Sequence, residues 1–305
     1  MSTLLDMTSQ GDVATISDDS KIANVQLLKP QQLYELWERQ HWRTQDLDFS
    51  QDVEDWRGLS EDDRDYLAWM LSSFFIGEER VTTQFSGLVM AYEDEAEESF
   101  LTTQQVDEAR HMQFFDRFYK EVLGVADDAW DERLGRVREH LNDAFVKLFD
   151  TELVQAGEAL IADPSDTEAK VRFVTTYHMI IEGTLALTGQ NFITSAFERD
   201  GILPGFVEGF ANVSRDEHRH VAYGTWYLKK TLAERPDLKP AFQERLHELL
   251  PVAAGVLVPR GKQVGDDFEL LGYTSAEVNE FAFNALNRRL KVIGVGLGDA
   301  EPAVA

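Results

Sequence analysis

Two Glu-x-x-His motifs, each preceded by another glutamate in an apolar segment, constrain the fold of this chain more than any other feature. The motifs are Glu108–His111 and Glu217–His220, and they follow Glu78 by 30 residues and Glu182 by 35 residues. Residues three apart share one face of an α-helix, so each motif can direct a carboxylate and an imidazole toward one point. The repeat is consistent with two pairs of helices that face each other.

The spacing alone is not specific, because Glu38/His41 and Glu244/His247 also have it. Glu38 has no glutamate 30 to 35 residues upstream, and Glu244 lies in a short amphipathic segment after Pro240. Most matches to so short a motif are accidental. We interpret these two copies as ordinary helix positions.

The neighbours of Glu78 and Glu182 indicate what the repeat is for. Both glutamates lie among aromatic and aliphatic residues, and Arg80 is the one cation within those apolar turns. Burying an ionised carboxylate costs many kcal/mol unless its charge is neutralised. Four carboxylates and two neutral imidazoles would balance two divalent cations. The sequence therefore predicts a site for two metal ions, and structural ion pairing is the alternative.

Composition limits the chemistry of such a site. The chain has 305 residues, 43% of them hydrophobic, and no cysteine, so disulfides and thiolate ligands are excluded. Oxygen-rich, imidazole-poor coordination suits Fe and Mn, and two adjacent redox metals point to O2 activation followed by oxidation of a nearby C–H or O–H bond. The net charge of −26 disfavours nucleic acid and anionic lipid as partners. No apolar segment approaches a membrane span and residues 1–19 lack a signal-peptide core, so we expect a cytoplasmic protein.

Apolar periodicity and capping residues predict a chain that is nearly all helix. We expect residues 1–28 to be poorly ordered, residues 29–297 to form a single helical domain and residues 298–305 to form a tail. No strand is predicted. The predicted helices are Pro30–His41, Ser60–Met90, Glu95–Val122, Asp131–Ile161, Thr167–Glu198, Pro204–Leu232, Leu238–Leu250 and Ser275–Val292.

The doubled motif matches the pattern of the ferritin-like di-iron and di-manganese bundles, in which a four-helix core carries the ligands. Over residues 30–295 the chain resembles the ribonucleotide reductase small-subunit superfamily and, more narrowly, the R2-like ligand-binding oxidases. An all-α fold follows, with a ferritin-like four-helix bundle core and additional helices. The segments that carry the resemblance are Phe74–Val81, Asp107–His111, Tyr177–Gly183 and Asp216–His220.

The resemblance implies two sets of metal ligands, with Glu108 bridging. In the first set, Glu78, Glu108 and His111 would bind Mn. In the second set, Glu182, Glu217 and His220 would bind Fe. Glu79 is an alternative to Glu78, which we prefer because it lies one turn before Val81, as in the family. Asp216 resembles the acid that orients a ligand histidine.

The resemblance also implies an ether cross-link between a valine and a tyrosine near the metals, here Val81 and Tyr177. Helix spacing alone favours His178, four residues before Glu182, over Tyr177, which is five before it. Further implications are a long-chain fatty acid bound in an apolar channel with its carboxylate at the metals, two-electron oxidation with O2, and a homodimer.

Two other functions stay open at the level of sequence. The first is the radical-generating small subunit of a class I ribonucleotide reductase. Tyrosyl-radical subunits have tyrosine four residues after the first ligand histidine, where this chain has Phe115, and its last tyrosine is Tyr273, outside the tail. The second is a non-catalytic iron-binding or storage bundle, which would usually be shorter than this chain with its helices after Leu238.

Overall fold

The computed structural model describes residues 25–125, 134–135, 137–139, 141–259 and 261–296. Two of the helices contain π-helical segments in their middle, where backbone hydrogen bonds reach five residues back. The helices are α1 Pro30–Arg39, α2 Ser50–Gly58, α3 Glu61–Gln84, α4 Ser86–Met90, α5 Glu95–Glu121, α6 (Asp143–Val146, π-helical Lys147–Glu152, Leu153–Ala162), α7 (Thr167–Val174, π-helical Thr175–Ala186, Leu187–Asp200), α8 Pro204–Glu234, α9 Lys239–Val256 and α10 Ser275–Ile293.

Four long helices, α3, α5, α7 and α8, form the central bundle. The helix α3 packs against α5, α7 packs against α8, and α5 also contacts α8. The helices α1 and α2 contact α8, and α9 and α10 cover α7. The predicted all-α fold with a four-helix core and additional helices is confirmed, and the core places one ligand-bearing helix at each corner.

Local sequence signals explain where the bundle helices begin and end. Ser60 accepts a hydrogen bond from the backbone N–H of Asp63 at 3.1 Å, and Asp94 caps α5 in the same way. The helix α7 ends at Gly201, whose φ of 65° is a left-handed conformation that glycine adopts without a steric penalty. These ends match the predicted ones within two residues, because side-chain caps are readable from the sequence.

The start of α8 depends on a helix that the sequence did not predict. No helix was expected between His41 and Ser60, yet α2 forms there and carries Asp52, which is fully buried. The Asp52 carboxylate accepts hydrogen bonds from the backbone N–H groups of Gly205 at 2.9 Å and Phe206 at 2.7 Å. The N-terminus of α8 is thus capped from another helix, through a contact between distant segments.

Two predicted helices are interrupted. The predicted helix Ser60–Met90 divides at Phe85 into α3 and α4. Within the predicted helix Asp131–Ile161, residues 134–135 and 137–138 are helical, residues 139 and 141–142 are not, and α6 begins at Asp143. Residues 131–133, 136 and 140 lie outside the described residues. The side chain of Asn142 accepts a hydrogen bond from Phe145 N at 2.8 Å and donates to the carbonyl oxygens of Gly255 and Val258, which fixes the start of α6 against α9.

The predictions for the two ends of the chain fall mostly on residues 1–24 and 297–305, which lie outside the described residues. Val25, the first described residue, is buried. In the described part of the chain, no helix is both long enough and apolar enough to cross a membrane.

A small hairpin after α9 was not predicted. Strand β1, Glu269–Leu270, pairs antiparallel with β2, Tyr273–Thr274. Leu271 and Gly272, with φ of 53° and 83°, form the two-residue turn, whose positive φ angles match the twist of a hairpin. Strands this short leave no alternation to read in the sequence. The hairpin matters because it directs Leu270 into the protein.

Candidate metal centre

The bundle brings all six predicted ligands together. Each is buried, with at most 7% of its surface exposed. Their oxygen and nitrogen atoms form two overlapping groups, and within each group these atoms lie within 4.8 Å of one another. The groups are Glu78, Glu108, His111 and Glu217, and Glu108, Glu182, Glu217 and His220.

Two glutamates belong to both groups. Glu108 of α5 was expected to lie between the two metal positions, and its carboxylate does face both groups. Glu217 of α8 has the same relation to them. Since Glu108 and Glu217 occupy equivalent places in the two motifs, the internal repeat of the sequence appears in space as an approximate two-fold arrangement.

Both histidines direct Nδ1 toward the carboxylates. His111 Nδ1 lies 3.5 Å from Glu78 and 3.4 Å from Glu217. His220 Nδ1 lies 3.1 Å from both Glu108 and Glu182. With Nδ1 directed inward in both imidazoles, Nε2 is left for a second partner outside the cluster.

That second partner is an aspartate from the opposite motif. His111 Nε2 lies 3.3 Å from Asp216, as the resemblance implied for that acid, and His220 Nε2 lies 3.2 Å from Asp107. Asp107 was not among the predicted site residues. The signal was present in the sequence, because Asp107–His111 and Asp216–His220 both read Asp-Glu-x-Arg-His. The repeat is therefore five residues long.

Two arginines and two tryptophans hold these aspartates. Arg219 donates to Asp107 at 2.9 Å and to Asp216 at 2.5 Å, and Arg110 donates to Asp107 at 2.7 Å. The indole N–H of Trp37 donates to Asp107 at 2.8 Å and that of Trp42 donates to Asp216 at 2.6 Å. Sequence reasoning missed all four, since nothing in the spacing of Trp37 and Trp42 links them to the motifs.

The cluster is electrostatically unusual. Burial raises the pKa of Glu78 to about 8 and, with the charge of Glu217, raises the pKa of Glu182 well above its usual range. Burial opposes the ionisation of Glu108 as well, but the two imidazoles hold its pKa well below its usual value. The pKa of His220 is raised, against the effect of burial, mainly by Glu108 and Glu182. This many carboxyl groups, buried away from water, can be ionised together only if positive charge lies among them.

Unsatisfied atoms in the cluster fit cations. His111 Nδ1, Glu182 Oε2 and Glu217 Oε2 are buried and have no hydrogen-bond partner. Buried polar atoms are almost always paired, and a metal ligand is the common exception. Carboxylate oxygen and imidazole nitrogen are the donors that Fe and Mn accept. The residues present therefore fit two such ions.

The π-helical segment of α7 decides which aromatic residue faces the cluster. Tyr177 donates a short hydrogen bond from its hydroxyl to Glu108, whereas His178 contacts Gln104. In a π-helix the repeat is longer than in an α-helix, so residues five apart, such as Tyr177 and Glu182, share a face. Regular helix spacing favoured His178 for that reason, and the resemblance favoured Tyr177.

An apolar cavity leads away from the cluster. Its empty volume is about 820 Å³, which includes open solvent at its mouth, and the carboxylates of the cluster are part of its lining. Val81 and Tyr177 both line it, as do Trp69 and Phe149 and, from the hairpin, Leu270. This lining could not be read from the sequence, because it comes from seven separate elements.

The remaining acids and histidines with the right spacing lie elsewhere. Glu79, the alternative to Glu78, points toward Arg138, with 3.5 Å between the charged groups. His41 is exposed and contacts Arg110. Glu244 and His247 are exposed on α9. Burial within the cluster distinguishes the two predicted ligand copies of the motif from these two.

A family model described as the small chain of ribonucleotide reductase matches residues 22–296 of this chain. The chain belongs to the ribonucleotide reductase small-chain family. The match spans every helix described above. The predicted resemblance to this superfamily is thus confirmed.

Comparison with solved structures shows which members of the family this chain is similar to. An R2-like ligand-binding oxidase from Sulfolobus acidocaldarius is 28% identical, with 87% of this chain and 89% of that chain covered and a TM-score of 0.71. A variant of an R2-like ligand-binding oxidase with an aerobically reconstituted Mn/Fe cofactor is 26% identical, with 87% and 97% covered and a TM-score of 0.75. Among small-chain family members, this chain is therefore similar to R2-like ligand-binding oxidases.

Proposed function

We propose that this small-chain family member is an O2-activating oxidase with one Mn and one Fe. The observation that carries the proposal is the hydrogen bond from the Tyr177 hydroxyl to Glu108, in the lining of an apolar cavity. A phenol at that place lies close enough to be oxidised by a redox centre held among the carboxylates. A storage bundle needs neither the phenol nor the cavity.

In this proposal Glu78, Glu108 and His111 bind Mn, and Fe is bound by Glu182, Glu217 and His220. Glu108 would be shared by the two ions, and the location of Glu217 in both groups gives it the same capacity. Two bound redox metals supply the electrons that O2 takes up in pairs. Asp107 and Asp216 accept the outer N–H of the two imidazoles and so keep Nδ1 free to bind.

The cavity is proposed to bind a long-chain fatty acid. Its walls are mostly hydrophobic, and the charged groups it exposes are the cluster carboxylates Glu78, Glu108, Glu182 and Glu217. A fatty acid would place its carboxylate at the metals, since there a cation can neutralise it, and its chain along the apolar walls. Apolar burial of the chain would then contribute about 0.8 kcal/mol per CH2 group.

The first oxidation that we propose is internal. Tyr177 loses the hydrogen of its hydroxyl, Val81 loses a hydrogen from carbon, and a C–O bond joins the two side chains. The chain gives up two electrons and two protons, and O2 is the acceptor. Burial and the charges of Glu108 and Glu182 raise the pKa of Tyr177 well above its usual value, so the phenol keeps its proton until it is oxidised.

Metal loading followed by peptide mass spectrometry tests the proposal. Metal-free protein is given Mn and Fe without air and is then exposed to O2. We expect about one of each metal per chain and a linked peptide pair, from Val81 and Tyr177, that is lighter by two hydrogens. Tyr177→Phe should bind both metals and give no link, and Tyr119→Phe, which removes a buried phenol elsewhere, should still link. Unlinked peptides in fully loaded, air-exposed protein would refute the cross-link.

Family membership keeps the radical-generating subunit as a second candidate. At the place of the radical tyrosine, however, Phe115 is fully buried and stacks on Phe74 at 6.0 Å and Phe75 at 6.5 Å between ring centroids. No phenol is available there to hold a radical. Nucleotide reduction in the presence of a reductase large subunit would favour this second function over the oxidase.

A further inference from the structure

A row of aromatic rings leads from the cluster to the surface of α8. The ring of His178 lies 4.7 Å from that of Tyr177 and 5.3 Å from that of Tyr223, between centroids. The Tyr223 ring lies 6.0 Å from the ring of Trp226. Tyr223 is fully buried, whereas Trp226 is partly exposed. The rings therefore connect the buried cluster with solvent.

The connection does not depend on the hydroxyl of Tyr177, which the proposed cross-link would consume. The side-chain amide of Gln104 lies 3.2 Å from His178 Nε2 and 3.4 Å from Glu182. On the other side, His178 packs directly on Gly224, where a Cβ atom would lie 2.3 Å from the Cβ of His178. Glu182, Gln104, His178 and Tyr223 thus form an unbroken contact path.

Tyr223 has a base at its hydroxyl. The hydroxyl donates to Glu97 at 2.5 Å, and Glu97 also pairs with Lys170 at 2.9 Å. Glu97 and Lys170 are 1% and 2% exposed, and a buried ion pair of this kind is often no more stable than apolar residues of the same volume. A phenol that loses an electron becomes a strong acid and needs a proton acceptor beside it. Glu97 provides one at hydrogen-bond distance.

The neighbouring tyrosine is less suited to oxidation. Tyr227 stacks on Tyr223 at 6.2 Å between centroids, but the ammonium group of Lys170 lies 4.5 Å from the centre of its ring. A cation held against an aromatic face opposes removal of an electron from that ring. Lys230 also lies near Trp226, but its ammonium group is farther from the ring centre, at 5.3 Å, and lies in a partly exposed ion pair with Glu93, where solvent screens its charge. Of the two branches beyond Tyr223, the one through Trp226 also reaches solvent.

We propose that Tyr223 and Trp226 form an electron-entry route by which an external one-electron reductant re-reduces the oxidised metal centre. The route rests on the proposed function, since it needs a redox-active centre. Tyr223 gives one electron to the centre and its hydroxyl proton to Glu97. Trp226 then gives one electron to Tyr223, which recovers its proton from Glu97, and the reductant returns one electron to Trp226. Each pass moves one electron inward and leaves the chain unchanged.

Re-reduction kinetics test the route directly. Wild type, Tyr223→Phe, Trp226→Phe and the control Tyr119→Phe are loaded with Mn and Fe, oxidised with O2 and mixed without air with ascorbate. Tyr119 is a matched control because it is also a buried phenol, bonded to Ser72. We expect Tyr223→Phe to lose the visible absorption of the oxidised centre about tenfold more slowly than wild type. Trp226→Phe should transfer the first electron at the wild-type rate and the next about tenfold more slowly, with the control unchanged.

A second readout follows the radical itself. In Trp226→Phe the electron of Tyr223 is not replaced, so a tyrosyl radical should accumulate in freeze-quenched samples and be detected by electron paramagnetic resonance. The variant with both substitutions should lack that signal. This measurement is independent of turnover, and Trp226, being partly exposed, can be replaced without opening the core.

The possible outcomes distinguish failure of the electron-entry route from failure of the proposed oxidase function. If the loaded variants are oxidised by O2 but are re-reduced at the wild-type rate, with no tyrosyl signal, the route is wrong and the oxidase stands. If wild-type protein binds no metal, or binds it without reacting with O2, the proposed function fails and the route fails with it.

Discussion

Asp107 and Asp216 couple the two halves of the cluster at the level of single residues. Each aspartate lies beside a ligand glutamate in its own motif but contacts the histidine of the other motif. Arg219 donates to both. Each imidazole is thus oriented by an aspartate from the other motif. We therefore expect a substitution of the aspartate in one motif to weaken metal binding at the histidine of the other.

Replacing each aspartate in turn tests this crossing. We expect Asp107→Asn to weaken the metal bound through His220, and Asp216→Asn to weaken the metal bound through His111, each by about 10- to 100-fold. Metal titration, with Mn and Fe quantified separately, measures both. Asp163→Asn on the surface is the control. Loss of the same metal in both aspartate variants would contradict the crossed arrangement.

The raised pKa of Glu78, about 8, makes the metal-free protein sensitive to pH. Its folded-state pKa lies above the ordinary value of 4.5, so between these values the folded chain binds the proton more tightly than the unfolded chain does. We expect the free energy of unfolding of metal-free protein to fall as the pH rises through that window. The raised pKa values of His111 and His220 act in the same direction.

Urea unfolding of metal-free protein at several pH values measures this effect. Glu78→Gln should decline less steeply than wild type, because its side chain has no proton to lose. Metal binding must displace the same proton, so metal affinity should rise with pH over the same range. If the free energy of unfolding of metal-free wild type instead increased from about pH 5 to about pH 8, a carboxyl group with a raised pKa could not be what controls stability.

At the level of elements, the contact between α2 and α8 fixes the start of the helix that carries Glu217 and His220. Asp52 is fully buried and satisfies two backbone N–H groups that would otherwise be orphaned at the N-terminus of α8. A cap from another helix also fixes the position of α8 along its axis. Both the stability of the protein and the position of Glu217 and His220 therefore depend on the Asp52 side chain.

Asp52→Ala should destabilise the protein by about 2–4 kcal/mol, since it removes a cap and leaves buried donors unsatisfied. Chemical denaturation measures the loss. Asp48 is the matched control, because it accepts similar hydrogen bonds from Ser50 but lies exposed. Asp48→Ala should cost about 1 kcal/mol or less. Equal losses in the two variants would show that burial of the cap adds nothing.

For the whole molecule, the cavity joins elements that lie far apart in the sequence. Its walls come from α3, α6, α7, the end of α9 and the hairpin, and α5 and α8 contribute Glu108 and Glu217. Phe145 and Phe149 of α6 stack at 4.1 Å on one side, and Ala186 of α7 leaves space on another. Filling that space should separate ligand binding from metal binding.

Ala186→Phe is expected to reduce binding of a long-chain fatty acid by about tenfold or more while two metals still bind, because the added ring occupies the channel and not the cluster. Native mass spectrometry and metal analysis give the two readouts. Ala159→Phe, at an exposed helical position, adds the same ring outside the cavity. Undiminished fatty-acid binding in Ala186→Phe would place the ligand elsewhere.

The sequence by itself determined the helical class, most helix ends and the set of buried acids and histidines. These follow from local rules: side-chain caps, apolar periodicity and the three-residue spacing of Glu-x-x-His. The Asp-Glu-x-Arg-His repeat was also present, although Asp107 and the two arginines went unrecognised.

Only the tertiary structure decided the rest. It brought Trp37 and Trp42 to the aspartates, capped α8 with Asp52, and turned Tyr177 rather than His178 toward the cluster through a π-helical segment. It also assembled the cavity and the row of rings at Tyr223. The physical reason is the same in each case: these features depend on contacts between residues distant in the chain, and burial, not local spacing, sets their energies.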